Sequence, residues 1–159
     1  MKQIIVLISL AILPLHEVRA QYNTNRLTIS GQSALYYEDY VLSIQYFNQA
    51  LAAKPYLYEP WFYRGLAKFY LDDYTGSEAD VTRAIELNPY IYNMFELRGL
   101  CRIRQKRYAQ AIDDYTRSIN LNPQNQTAWY NRALCRVEDK DYAQAQLDLD
   151  TVVTRWQSY

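Results

Sequence analysis

Glycine and proline are scarce in this 159-residue sequence, at four and five residues, which excludes a collagenous or low-complexity chain. No apolar run approaches the ~18 residues that a membrane-spanning helix needs. The longest runs from Ile4 to Leu13 with Ser9 inside it, follows Lys2, and gives way at Pro14 to a polar stretch ending on Val18 and Ala20. This is the layout of a secretory signal peptide cleaved after Ala20. It predicts a secreted or periplasmic protein whose mature chain inserts into no membrane. The single histidine, His16, lies inside that segment. A mature chain without imidazole has no Ser-His or Cys-His pair and none of the usual zinc sites. With 17 basic and 17 acidic residues, there is no long-range field to attract nucleic acid. The expectation is therefore no catalytic residue, no metal, no cofactor and no nucleic-acid partner.

What the sequence does have is apolar content of 50%, enough for a packed core, and 17 tyrosines. It also has a period. Tyr40, Tyr74, Tyr108 and Tyr142 are 34 residues apart, and Pro55, Pro89 and Pro123 keep the same interval. Four units result, 24–57, 58–91, 92–125 and 126–159, after a short tail at 21–23. Their fourth residues are Leu27, Trp61, Phe95 and Trp129, and their eighth are Gly31, Gly65, Gly99 and Ala133. Large and small residues at this spacing lie on one helical face, and the small one admits a neighbouring helix. A second helix opens near Asp39, Asp73 and Asp141, where an acidic side chain suits the positive end of the helix dipole; the third unit offers Arg107 instead. It ends before each proline, since the preceding residue is pushed out of helical geometry. Each unit is thus read as two antiparallel helices.

Trp61, Gly65, Tyr74, Ser77, Val81, Ala84 and Pro89 together resemble the pattern of the tetratricopeptide repeat. The resemblance covers residues 24–159. It implies an all-α, right-handed superhelical solenoid whose first helices line a concave groove that takes a protein or peptide. It also implies that the second, fifth, ninth, twelfth and thirteenth residues of each unit face that groove. Phe62, Leu66, Phe69 and Tyr70 then form one stripe, joined by Glu96, Arg104 and Tyr130. The stripe serves either to bind apolar side chains or to pack neighbouring first helices. At the positions of the family's carboxylate clamp stand Thr28, Gln32, Tyr63, Asn93 and Leu97, so no clamp for acidic chaperone tails is expected.

Tyr40, Tyr74, Tyr108, Tyr142 and Tyr115 occupy framework columns and carry no functional reading. The basic run Arg98, Arg102, Arg104, Lys106 and Arg107 reads as solvated edge pairs with acids of adjacent units, each worth well under ~1 kcal/mol. Asp113-Asp114 and Asp148-Asp150 read as ordinary carboxylates on solvated helix faces. Cys101 and Cys135 sit at equivalent places on successive first helices, too far apart for a bridge, and are expected to be free and buried. Asn125-Gln126-Thr127 is a glycosylation sequon at a loop. Val152, Val153, Trp156 and Tyr159 end the last helix with an apolar face that could pair with a second copy or a partner. The sequence thus points to a non-enzymatic interaction scaffold binding a partner segment in its groove. A self-assembling module, in the limit a homodimer, is the alternative.

Overall fold

The structure, a computed structural model, describes residues 23–156. The expected signal segment at 1–20 and Tyr159 lie outside the described residues. Eight helices follow one another among the described residues: α1 (23–36), α2 (Tyr40–Ala53), α3 (Tyr58–Tyr70), α4 (Tyr74–Leu87), α5 (Tyr92–Arg104), α6 (Tyr108–Leu121), α7 (Gln126–Glu138) and α8 (Tyr142–Trp156). From α2 onward each packs on the helix before and after it, and α3 also touches α5. The result is a stack of antiparallel helix pairs.

The boundaries have local causes. Asp39 caps α2 by accepting from Leu42 N at 3.1 Å, and Asp73 caps α4 by accepting from Gly76 N at 2.9 Å. Arg107 gives α6 no side-chain cap. Lys54, Asn88 and Asn122 terminate α2, α4 and α6, each followed by proline. Trp61 Nε1 donates to Pro55 O at 2.8 Å and Trp129 Nε1 to Pro123 O at 3.0 Å, so the tryptophan column ties each helix to the preceding proline turn. Within each pair the chain reverses through a residue of positive φ: Glu38 (62°), Asp72 (60°), Lys106 (60°) and Lys140 (65°). A left-handed conformation costs an L-residue about 1–2 kcal/mol. Lys106→Gly should therefore raise stability by about 1 kcal/mol, measured by urea unfolding, and a loss would show that the lysine side chain is needed there.

The glycine column is where the helices interlock. A Cβ on Gly31 would lie 2.6 Å from Phe47 Cε1, one on Gly65 2.8 Å from Val81 Cγ2, and one on Gly99 3.0 Å from two Tyr115 ring atoms. Phe47, Val81 and Tyr115 are themselves fully buried and share one column of the repeat. The glycine's helix penalty of ~1 kcal/mol is offset by this close approach.

Charge enters the interior in a repeated device. Arg64 grips Asp80 with two nitrogens at 2.7 and 2.6 Å and sends a third to Asn48 Oδ1 of the preceding pair at 2.7 Å. Arg98 does the same with Asp114 and Thr82, and Arg132 with Asp148 and Thr116. One helical turn on, Lys68, Arg102 and Arg136 complete the shell on the same three carboxylates. Each arginine also lies over the aromatic of its own first helix, Trp61, Phe95 or Trp129. This corrects the expectation of solvated edges: the Asp114 side chain is 3% exposed, those of Arg98 and Arg102 15% and 16%. Arg102 and Arg107 further reach Glu78 at 3.0 and 2.6 Å. Asp114 and Asp148 are equally not surface carboxylates; each is enclosed by two arginines. The ladder starts in the second pair because the first has Ser30, Tyr46 and Ala34 at the places of Arg64, Asp80 and Lys68.

Cys101 and Cys135 are free and buried, as their spacing predicts. Burial pushes the Cys101 thiol up to about 11 and the Cys135 thiol up to about 12. Both should resist a thiolate-directed reagent at pH 8 in the native chain, while the denatured chain titrates two thiols. With pKa values raised by folding, the unfolded chain releases these protons first, so stability should fall as pH rises from about 9 towards 11. Rapid native labelling at pH 8 would contradict this burial.

Candidate protein-binding groove

The first helices α1, α3, α5 and α7 carry the residues expected to face a groove, and the structure divides them. Phe62, Leu66 and Phe69 are half-buried against a cluster of Val81, Ala84, Met94, Leu97 and Cys101. Most of the stripe's apolar area therefore packs α3 onto its neighbours. Tyr70, 53% exposed, is its open end, and Tyr130 on α7 is 48% exposed beside the exposed Leu134 and Val137. Glu96 is half-buried and engaged: the Asn125 side-chain amide donates to it, and desolvation raises its pKa against that bond's pull. The same Asn125 accepts from Thr127 N at 3.1 Å as the cap of α7. The sequon is thus built into a helix start. Arg104 is exposed, its guanidinium 5.8 Å from the centre of the Tyr74 ring.

An open concavity lies one pair earlier, between α1 and α3, and another of ≈ 490 Å³ lies along α4. The first, a hollow of ≈ 480 Å³, is lined by Gln32, Leu35, Tyr36, Glu38, Tyr40, Tyr63, Leu66 and Tyr70. A neighbouring hollow of ≈ 320 Å³ shares Gln32 with it and runs on past Thr28, Ile29, Glu59 and Pro60, so these two form one trough along the helices. Tyr70 stacks on Tyr40 with ring centres 5.0 Å apart. Tyr63 stacks on the buried Phe47 at 6.0 Å, and Tyr36 is 81% exposed. The floor is therefore built of stacked aromatic rings and the rim is exposed. Tyr40, expected as a framework residue, also lines the hollow. Its signal was present: the thirteenth residue of one unit meets the seventeenth of the unit before, as Tyr70 meets Tyr40 and Arg104 meets Tyr74.

On the expected interface, Val152 is half-buried and Val153 exposed on α8, as are Leu147 and Tyr142. The Trp156 side chain and Tyr159 lie outside the described residues. No group of His, Cys, Asp and Glu among the described residues could hold a metal ion. No described helix is long and apolar enough to cross a membrane.

A stack of antiparallel helix pairs with a side trough defines an α-solenoid of the helical-repeat class. Two sequence models of the tetratricopeptide repeat match residues 95–125 and 114–147. No curated protein sequence matches the chain. Among solved structures it is similar to MamA, at 17% identity and TM-score 0.83, over 90% of this chain and 84% of that one. It is similar to the first repeat domain of Spaghetti (RPAP3) bound to the HSP90 peptide SRMEEVD, at 24% identity and TM-score 0.69, over 77% and 97%. It also resembles YrrB, described as having an unusual peptide-binding site, at 19% identity and TM-score 0.72, over 79% and 64%. Residues 95–147 thus carry tetratricopeptide-repeat sequence, and the described helices share the fold of tetratricopeptide-repeat structures.

Proposed function

We propose that the chain is a non-enzymatic scaffold of the cell envelope or secretory space that holds a segment of a partner protein in its concave trough. The observation that carries this is the ≈ 480 Å³ hollow between α1 and α3, whose wall is aromatic and whose rim is open. Tyrosine supplies large contact area at low entropic cost, which is the composition of interface hot spots. Two of the similar structures are described by their peptide complex or peptide-binding site, which supports a segment as the ligand. The signal-like residues 1–20 support the compartment.

Tyr70 is the cleanest probe because it is exposed, whereas Phe62 also packs in the interior. Tyr70→Ala should weaken capture of the partner by the tagged mature chain about tenfold, with helical content unchanged. Equal capture would remove the trough from the account. Exposure of Tyr142 and Val153, eleven residues apart on one face of α8, favours a second reading, self-pairing through that face; a strict monomer in concentrated sedimentation runs would exclude it.

A further inference from the structure

We infer that the α1–α3 trough recognises a basic side chain, an arginine or lysine of the bound segment, held against tyrosine faces and the Glu38 carboxylate. This rests on the trough being the binding site and names the chemistry it selects. Four tyrosines, Tyr36, Tyr40, Tyr63 and Tyr70, line the hollow; its one charged lining residue is Glu38. Among the described residues no ion pair or hydrogen bond engages the Glu38 carboxylate. It projects from the left-handed turn at φ 62°, and it is exposed. The cations of the neighbouring helix are committed elsewhere: Arg64 and Lys68 of α3 are spent on Asp80, at 2.6 and 2.8 Å. An anionic ligand would thus meet a carboxylate and no compensating base, while a cation meets a carboxylate and electron-rich ring faces.

The chain itself repeats the arrangement. Thirty-four residues along, Arg104 takes the place of Tyr70, and its guanidinium lies 5.8 Å from the centre of the Tyr74 ring, the counterpart of Tyr40. The fold therefore seats a cation on this column where it supplies one. At the first pair the Tyr70 ring itself takes that place on Tyr40, 5.0 Å away, so the ligand's charge lies instead against the exposed rings of Tyr36 and Tyr70 beside Glu38.

The test selects peptides from a random displayed library on the immobilised mature chain and measures their affinities. Arginine or lysine should be enriched at one position. Replacing it by uncharged citrulline or norleucine should weaken binding about tenfold, and Glu38→Gln, on an exposed turn, should weaken the basic peptides several-fold while leaving the substituted ones unchanged. Tyr70→Phe should retain binding that Tyr70→Leu loses, because the ring face and not the hydroxyl is required. Selected peptides that bind through α1 and α3 but are neutral or acidic would overturn the basic preference and leave the groove standing. Failure to select any peptide that Tyr70→Ala weakens would overturn the groove reading itself.

Discussion

Asp114→Ala should cost the protein about 3–5 kcal/mol of stability, because it strands the desolvated Arg98 without a carboxylate and leaves Arg102 with Glu78 alone. Arg98 and Arg102 both close on this carboxylate, at 2.7 and 2.8 Å. Desolvation pushes the Asp114 carboxyl above its ordinary value, against the pull of the two guanidiniums. Buried ionic clusters gain little as a whole against the desolvation they require, and the cost lies in breaking them. The triple replacement Asp114→Leu, Arg98→Met and Arg102→Met should recover most of the loss, since well-packed apolar residues often match a buried ionic group. Urea unfolding of the single and triple variants decides. A single loss below about 1 kcal/mol would mean that water reaches the site and that the pairs behave as surface bridges.

Phe47→Ala should cost about 3–5 kcal/mol and, unlike Asp114→Ala, should abolish binding while touching no ligand. The ring is fully buried, its edge fills the space over Gly31, and its face supports Tyr63 at 6.0 Å. Removing it loosens α1 and α2 against α3, and the trough lies between α1 and α3. Gly31→Ala alone should also destabilise. A gain of ~1 kcal/mol in helix propensity is outweighed by overpacking of about 1–3 kcal/mol where the new Cβ would meet Phe47 at 2.6 Å. In the Phe47→Ala background the same substitution should be neutral or favourable, because the clashing ring is gone. Additive losses in the double variant would show that the two residues do not interlock.

The repeat carried most of the architecture into view. Tyrosine, proline and glycine columns at 34-residue spacing are framework positions, so helix ends at Lys54, Asn88 and Asn122 and the close approaches at Gly31, Gly65 and Gly99 could be read from periodicity. The ionic ladder could not be read from helix faces taken singly. Asp114 beside Asp113 looks like a solvated pair until Arg98, sixteen residues earlier on another helix, is placed against it. The period held that signal too, in Arg64, Arg98 and Arg132 and in Asp80, Asp114 and Asp148. The groove was legible as a set of columns but not as a volume. Whether a large residue at such a column packs or opens depends on its neighbours: Phe62 and Phe69 meet a core cluster, whereas Tyr36 and Tyr70 border a space.

Amide chemical-shift mapping of the isotopically labelled chain from residue 21 onward, titrated with a library-selected peptide, tests the central claim most directly. The account predicts perturbations centred on Gln32, Leu35, Tyr36, Leu66 and Tyr70 of α1 and α3, with α4 and α6 spared. Perturbations centred instead on α4, α6 or the outer face of α8 would contradict it.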